Sequence, residues 1–339
     1  MAKQRINLAL QGGGAHGAFT WGVLDRILQE SDLEIAAISG TSAGAMNAAA
    51  LKSGMLSGGN EGAREALSNL WGEIARSSGA GMSQWFGQEL FSPSMMSQAL
   101  EMSAPYMFAD AFKRMTSPYS WGPFYNHPLQ AIVDSFDYGD VRNPEGPDLF
   151  IGATNVRSGK VKVFAGEEIG PDALLASACL PTLFRAVEID GEAYWDGGYT
   201  GNPPLFPLFE TQYPEDILII NINPLERAEI PQTPQAIQNR INEIGFNTSL
   251  LRELRAISFV QRLISAGTIE QGTMKNVHVH MIADDALMNE LSVATKTVAI
   301  PSVLDALKGA GQQAADEFLR ADRKNIGKQS SVDLQAMFN

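Results

Sequence analysis

The sequence has little of the chemistry that proteins use for cross-links and metal sites. Its 339 residues include one cysteine, Cys179, and four histidines. A single cysteine excludes an internal disulfide, and no group of cysteines and histidines has the spacing of a zinc site. We therefore expect no structural metal. The imidazole of any catalytic triad would have to come from one of four residues: His16, His127, His278 and His280.

Positive charge is also scarce. The chain has 25 Lys and Arg residues against 38 Asp and Glu residues, which gives a formal net charge of −13. A protein with this excess of negative charge is repelled by the phosphates of nucleic acids and by anionic lipid surfaces. We therefore expect no nucleic-acid partner and no strong electrostatic adhesion to anionic membranes.

Long hydrophobic runs are absent as well. No stretch approaches the roughly 20 apolar residues that a membrane-spanning helix needs. The first residues, MAKQRINLALQGGG, have early cations, but their apolar run is short and ends in glycines, unlike a signal peptide. Hydrophobic residues still make up 45% of the chain, which is enough for a sizeable core. We expect a cytoplasmic protein of one large domain or two.

A glycine–serine turn joins a strand pattern to a helix pattern between residues 35 and 50. Residues 35–38 are apolar, as in a buried strand, and residues 45–50 are rich in alanine, as in a helix. Between them, Gly40-x-Ser42-x-Gly44 has the form of a nucleophile elbow, a tight turn that exposes a serine hydroxyl. The helix start after it would favour developing negative charge. We predict Ser42 as a nucleophile, with a plain turn as the alternative.

A second glycine turn follows the first predicted strand, residues 6–10. Gly12-x-Gly14-x-x-Gly17 fits the dinucleotide-binding fingerprint, which also needs an acidic residue at the end of the next strand. That strand ends in Gly40-Thr41-Ser42, so we disfavour a dinucleotide. We expect the N–H groups of this loop to bind an oxyanion beside Ser42 instead. Close packing alone is the alternative reason for these glycines.

An aspartate ends a predicted hairpin much later in the chain. Residues 187–195 alternate around the turn Asp190-Gly191 and lead into Asp196-Gly197-Gly198. A carboxylate at the end of an apolar hairpin, followed by glycines that permit close approach, fits a positioned base. Burial beside apolar groups such as Trp195 would raise its basicity, because desolvation disfavours the charged form.

The residues alone leave two arrangements of the base open. The order Ser42, Asp196 and then His278 or His280 matches that of α/β-hydrolases. In that fold, however, several strands precede the elbow, and here only one does. The alternative is a dyad in which Asp196 takes the proton of Ser42 directly. His16 lies inside the glycine loop, and we expect it to order the loop rather than to act as a base.

The order of the predicted elements favours an α/β fold. Strand, helix, strand and helix alternate at the start of the chain, which is typical of a parallel sheet covered by helices. Residues 82–125 differ, because they contain six methionines and ten aromatic residues. They predict either a cap over an acyl-chain pocket or a helical insert with its own core. The tail from Lys328 is expected to fray, with docking on a second subunit as the alternative.

Three motifs in this order resemble those of the patatin-like phospholipases: Gly12-Gly13-Gly14-Ala15-His16-Gly17, Gly40-Thr41-Ser42-Ala43-Gly44 and Asp196-Gly197-Gly198. The resemblance covers about residues 5–225. It implies a three-layer α/β/α fold with a mostly parallel central sheet, and lipid acyl hydrolysis without metal, calcium or cofactor. It also implies a catalytic dyad of Ser42 and Asp196, with an oxyanion hole formed by the backbone of Gly12, Gly13 and Gly14. The supporting residues would be His16, Gly17, Gly40, Gly44, Gly197 and Gly198.

These observations predict a serine acyl-ester hydrolase of the phospholipase A type that works through an acyl-enzyme. The catalytic region would span residues 1–225, with the helical insert at 80–126. Residues 226–339 would form a helical extension with one returning strand, packed on the same domain. The alternatives are a storage-polyester depolymerase of the polyhydroxybutyrate type or a thioesterase with the same dyad, a dinucleotide-binding protein, and a non-catalytic binding module. The partner would be a lipid or another acyl-ester substrate; transient contact with a membrane or lipid-granule surface and the formation of a homo-oligomer are both left open.

Overall fold

The computed structural model of the chain describes residues 3–79, 92–103, 106–108, 116–270 and 272–338. An eight-stranded sheet forms its centre. The strands are β1 (Gln4–Leu10), β2 (Leu33–Thr41), β3 (Asp148–Asn155), β4 (Val161–Ala165), β5 (Val187–Ile189), β6 (Glu192–Asp196), β7 (Asp216–Asn221) and β8 (His278–Ala283).

The sheet is mixed, with a parallel centre and an antiparallel side. Its order is β5-β6-β3-β2-β1-β7-β8, and β4 pairs with β3 outside this path. Strands β3, β2, β1, β7 and β8 are parallel neighbours, whereas β4, β5 and β6 pair antiparallel. Strands covered on both faces are continuously apolar rather than alternating. All six residues of β7 are buried, as that rule requires.

Helices cover both faces of the sheet. They are α1 (Gly17–Ile27), α2 (Ala43–Gly79), α3 (Pro93–Glu101), α4 (Gln130–Val133), α5 (Tyr138–Arg142), α6 (Pro171–Ser177), α7 (Pro234–Ser265), α8 (Asp285–Glu290), α9 (Ala294–Thr297), α10 (Pro301–Ala321) and α11 (Leu334–Met337). Short 3₁₀ segments lie at Gly14–His16, Pro118–Phe124, Gly166–Glu168, Gly197–Tyr199, Phe206–Phe209 and Arg323–Asn325.

Two hydrophobic cores result from the alternation of side chains along the strands. Leu8 and Leu10 of β1 join a core with residues of α1, α2, α6 and α10. Ala9, between them, points to the other face and joins a core with Leu250 and Leu254 of α7. The expected three-layer α/β/α architecture with a mostly parallel sheet is thereby confirmed.

Residues 226–339 contribute to the sheet and to the helical layer that contains α1. Strand β8 pairs parallel with β7 at the edge of the sheet. Helix α10 packs on α1 through two glycines, since a Cβ on Gly22 would overlap the carbonyl of Lys308, and one on Gly311 would overlap that of Phe19. The predicted boundary between the catalytic region and the C-terminal extension, near residue 225, stays a prediction.

The expected insert is described only in part. Residues 80–91, 104, 105 and 109–115, which include Met82, Trp85 and Phe86, lie outside the described residues. In the described part, Ser92 caps α3 by accepting a hydrogen bond from the N–H of Met95, and α3 buries Met96 and Leu100. Within the described ranges, no helix combines the length and the apolar character required to cross a bilayer.

The C-terminal tail docks on its own chain, so the prediction that it frays is wrong for the described residues. The N–H of Ser331 donates to the carbonyl of Val279 at 3.1 Å, and the hydroxyl of Ser330 accepts from the N–H of Val279 at 3.0 Å. Leu334 is 2% exposed and joins the core beneath α7. The buried side chain and the backbone pairing together fix the tail, which a sequence pattern of isolated apolar residues did not indicate.

We predict that Leu334→Ala lowers the free energy of unfolding by about 2–4 kcal/mol, because it leaves a cavity in a packed core. Chemical denaturation of the purified variant measures this change. Ile230→Ala is the matched control, since Ile230 is 84% exposed and its truncation should change the free energy of unfolding by less than about 0.5 kcal/mol. Equal changes for the two variants would show that the tail is not docked in solution.

Candidate active site

The glycine loop and the serine turn leave the sheet side by side. Leu10 of β1 is paired with Gly40 of β2, so the residues that follow these parallel strands meet at the same edge. A Cβ on Gly12 would lie 2.8 Å from the Cβ of Ser42. Real Cβ atoms do not approach so closely, so this arrangement requires glycine at position 12. Sites of parallel α/β sheets form at this carboxyl edge.

Ser42 occupies an unusual backbone conformation. Its φ of 54° lies in the left-handed region, which is uncommon for a residue with a side chain. The N–H of Ser42 donates to the hydroxyl of Ser177 at 2.8 Å, and that hydroxyl donates to the carbonyl of Gly152 at 2.7 Å. These contacts hold the turn in a conformation that costs energy and presents the side chain of Ser42, as in a nucleophile elbow.

The glycines expected to support the site lie where other atoms come close. A Cβ at any of these positions would come within 3.0 Å of another atom: Gly17, Gly40, Gly44, Gly197 and Gly198. The contact of Gly17 is with the Cβ of Ala43, so this glycine lets α1 and α2 start against each other. The observed crowding gives each glycine a packing reason.

Asp196 lies at the end of β6 and faces the serine. Asp196 pairs with Ala153 of β3. Asp196 is 2% exposed. Its Oδ1 accepts a hydrogen bond from the N–H of Gly198 at 2.7 Å. Burial raises the pKa of Asp196 to about 7, although hydrogen bonds from the N–H of Gly198 and the hydroxyl of Ser42 act in the opposite direction. The fold thus brings together a hydroxyl and a carboxyl that are separated by more than 150 positions in sequence.

The three glycines of the loop do not present equivalent amides. The N–H of Gly12 donates to Oδ1 of Asn202 at 2.7 Å and is therefore occupied. In the described part of the chain, the N–H groups of Gly13 and Gly14 have no hydrogen-bond acceptor. Gly14 has a φ of 60°, and a Cβ there would overlap the carbonyl of Lys296.

A buried network of amide side chains supports this loop, and no sequence pattern described above indicates it. Oε1 of Gln11 accepts from the N–H of Ile222 at 2.9 Å and from the side chain of Asn223 at 3.1 Å. Nδ2 of Asn223 also donates to the carbonyl of Gly12 at 2.8 Å, while Asn247 contacts Gln11 at 3.3 Å. One signal was available, because Asn223 lies two residues beyond the end of the apolar strand β7, at the same edge of the sheet.

His16 is neutral and structural in this setting. Its Nε2 is 2.8 Å from the hydroxyl of Thr295, whose own proton is donated to the carbonyl of Ser292 at 2.7 Å. Nε2 of His16 must therefore be the donor. Burial and the nearby charge of Lys296 lower the pKa of His16. This geometry agrees with a role in ordering the loop.

The remaining histidines do not complete a triad with Ser42. His278 and His280 lie on β8, where Asp216 at the amino end of β7 pairs with His278. Nε2 of His280 is 2.9 Å from Oδ1 of Asp216, and its Nδ1 is 3.0 Å from the hydroxyl of Ser331. His127 packs against Phe184 with ring centres 4.5 Å apart.

A cavity of about 970 Å³ opens over Ser42 and Asp196. We call one part of its lining the apolar wall: Met46, Trp71 and Ile74 of α2, Leu129 and Ile132 at α4, and Phe184. The polar wall is the part contributed by Gln238, Asn239, Asn242 and Glu243 of α7 and Lys296 of α9. Tyr106, in the described part of the insert, also lines the cavity. The volume suits a ligand with an apolar body and a polar end.

Metal ligation has no support in the described residues. Across the described ranges, no group of three or more His, Cys, Asp or Glu side chains is placed to hold a metal ion. The site provides a strained serine, a buried carboxyl whose pKa burial raises, and a loop in which the N–H groups of Gly13 and Gly14 have no acceptor among the described residues. These are the parts that acyl transfer requires.

One comparison, with models of protein families, agrees with this chemistry at the level of the family. A family model described as patatin-like phospholipase matches residues 8–209. VipD from Legionella pneumophila has a solved structure that is 15% identical, with a TM-score of 0.45 over 94% of this chain and 67% of that one. The heterodimeric ExoU–SpcU complex from the type III secretion system of Pseudomonas aeruginosa is 17% identical, with a TM-score of 0.30 over 94% of this chain and 61% of that one. The chain thus spans about two thirds of the length of these structures, and no curated protein matches it.

The matched residues 8–209 make up more than half of the chain and include all three motifs. Helix α7 and strand β8, which complete the polar wall of the cavity and the edge of the sheet, lie outside the match. The match to the family model and the ordered motifs lead to one conclusion: the chain belongs to the patatin-like phospholipase family.

Proposed function

We propose that the protein is a lipid acyl hydrolase of the phospholipase A type that uses Ser42 and Asp196 as a catalytic dyad. Family membership supports hydrolysis of lipids. The observation that carries the dyad is that the buried carboxyl of Asp196, whose pKa burial raises to about 7, lines the same cavity as a serine held in a strained turn. A base whose pKa lies near the operating pH combines a useful ionised fraction with useful proton affinity.

The reaction would proceed in two steps through an acyl-enzyme. Oγ of Ser42 attacks the ester carbonyl while Asp196 accepts the hydroxyl proton. The tetrahedral oxyanion is stabilised by the N–H groups of Gly13 and Gly14 and by the start of α2. Collapse breaks the bond to the leaving alcohol, which receives the proton from Asp196. Water then gives a proton to Asp196 and attacks the acyl group. Collapse of this second intermediate breaks the bond to Oγ of Ser42, which takes the proton back from Asp196 as the carboxylic acid leaves.

The two walls of the cavity support an orientation for the substrate. The acyl chain would lie against the apolar wall, where Met46, Trp71 and Phe184 exclude water from the reacting centre. The alcohol portion would lie toward Gln238 and Asn242. A polyester or a thioester would use the same dyad, so a panel of phospholipid, polyhydroxybutyrate and acyl-thioester substrates distinguishes these activities.

We predict that Ser42→Ala lowers turnover of a soluble p-nitrophenyl acyl ester by at least about 10³-fold, because it removes the nucleophile. The variant should also lose covalent labelling by a fluorophosphonate. Ser158→Ala, at an exposed turn, is the matched control and should keep both properties. A labelled and active Ser42→Ala variant would refute the assignment.

We predict a comparable loss for Asp196→Asn, since an amide cannot accept the proton of Ser42. His278→Asn should retain activity, because His278 contacts Asp216 and not the serine. Steady-state kinetics with the same ester measure both effects. If His278→Asn were inactive while folded, the base would have to be assigned to the imidazole.

The raised pKa of Asp196 also predicts how activity and stability depend on pH. Activity should rise as the pH increases through about 7, because only the ionised carboxyl accepts a proton. The folded state holds this proton more tightly than the unfolded state, whose pKa is about 3.9. The free energy of unfolding should therefore fall as the pH rises from about 4 through 7, and this decrease should be smaller in Asp196→Asn. Denaturation curves at several pH values measure it, and identical pH profiles for both proteins would contradict a raised pKa.

A further inference from the structure

A lysine from the C-terminal region reaches the glycine loop. Lys296 lies on α9, outside the residues that the family model matches, and lines the cavity. Its Nζ donates to Oδ1 of Asn223 at 2.9 Å. Its backbone carbonyl lies against the Cα of Gly14, where no Cβ could be accommodated. The proposed reaction gives this cation no role, so its contacts need a separate explanation.

The lysine is one of the contacts that set which way the amide of Asn223 faces. An ammonium group only donates hydrogen bonds, so it holds Oδ1 of Asn223 toward itself. The NH₂ group of Asn223 is then left to donate to the carbonyl of Gly12 at 2.8 Å and to Oε1 of Gln11 at 3.1 Å. With the amide reversed, two acceptor oxygens would face each other in a buried site, which is unfavourable.

The carbonyl that Asn223 holds belongs to the peptide that carries the N–H of Gly13. A trans peptide is planar, so its C=O and N–H point in opposite directions. Fixing the carbonyl of Gly12 therefore fixes the direction of the N–H of Gly13. Neither glycine has a side chain that would restrict rotation of this peptide. Donation to the carbonyl also polarises the peptide and makes its N–H a stronger donor.

We propose that Lys296 is a positioning residue that acts through Asn223 to hold the Gly12–Gly13 peptide, with the N–H of Gly13 set to receive the oxyanion. This inference rests on the proposed hydrolase function. It gives the C-terminal region a part in the active site, since the loop from the front of the chain takes its orientation from residues 223 and 296.

A direct contact of Lys296 with an anionic substrate group is the competing explanation. Its surroundings favour the positioning role. Nζ already has an acceptor in Asn223, and the charges that face it are those of Glu243 and Arg227, which are paired with each other at 2.6 Å. The two explanations differ in whether the effect of the lysine depends on Asn223.

The test is a double-mutant cycle on the full-length protein with a neutral, soluble p-nitrophenyl ester, which offers no anionic group to bind. Lys296→Met and Asn223→Ala should each lower kcat by about 10- to 100-fold, somewhat less than the loss of a whole oxyanion-hole donor, and should leave KM within about 2-fold. The double variant should be no more than about 3-fold slower than the slower single variant, because both act on the same peptide. Lys328→Met removes the same charge from an exposed position and should leave kcat unchanged.

The variant Lys296→Arg adds a second test, the pH dependence of kcat, which a purely structural role of Lys296 would leave unchanged. Burial lowers the pKa of Lys296 to about 8, with Glu243 acting to raise it and Arg227 to lower it. The kcat of the wild-type protein should therefore fall as the pH rises above about 8. Lys296→Arg stays charged and donates the same hydrogen bond, so it should keep most of the activity and lose this decrease.

Each outcome decides the inference. Additive losses in the double variant, a loss confined to KM, or a folded Lys296→Met variant with wild-type kcat would overturn it. If any variant fails to give a cooperative unfolding transition, fluorophosphonate labelling rates of Lys296→Arg and the wild type across pH decide instead, and identical rates overturn it. A wild-type protein that neither labels at Ser42 nor turns over any ester would refute the proposed function itself, which is a distinguishable result.

Discussion

The close approach of Gly12 to Ser42 is the constraint on which the site depends. Parallel pairing of β1 and β2 brings their ends to one edge, and the loop after β1 then passes within van der Waals contact of the serine turn. Only a residue without a Cβ can stand at position 12. Everything proposed for the chemistry requires this contact, because an oxyanion donor is useful only a few ångströms from the nucleophile. The same constraint leaves the loop without side chains to hold it, so its conformation must be fixed from outside.

That external support comes from buried amides. Asn202 accepts from the N–H of Gly12, and Asn223 donates to its carbonyl, so both sides of this glycine are fixed. Buried polar groups are costly unless they are paired, and here the side chains of Asn202 and Asn223 pair with the backbone of one glycine in this loop. His16 and Thr295 add a further link from the C-terminal region. The loop is therefore held by residues from three distant parts of the chain.

Burial plays a second part at Asp196. A carboxylate exposed to water is a weak base, whereas the same group beneath β6 and the Gly197–Tyr199 turn has a pKa of about 7. The desolvation that makes a dyad chemically reasonable is a cost to folding, and the large apolar cores on both sides of the sheet offset it. The pocket thus combines apolar surface for an acyl chain with one activated polar pair.

The sequence by itself determined the class of fold, the family and the residues proposed for the dyad. Apolar runs and glycine turns are local signals, and Gly40-x-Ser42-x-Gly44 and Asp196-Gly197-Gly198 name their candidates without reference to the rest of the chain. The tertiary structure decided which amides of the loop are occupied, that Asn223 and Lys296 reach it, and that the tail docks on β8. These features depend on residues some 50 to 210 positions apart in sequence. The type of a residue does not indicate which distant residue it will contact. Tertiary packing decides which residues pair, because only the folded chain brings a buried donor within hydrogen-bond distance of its acceptor.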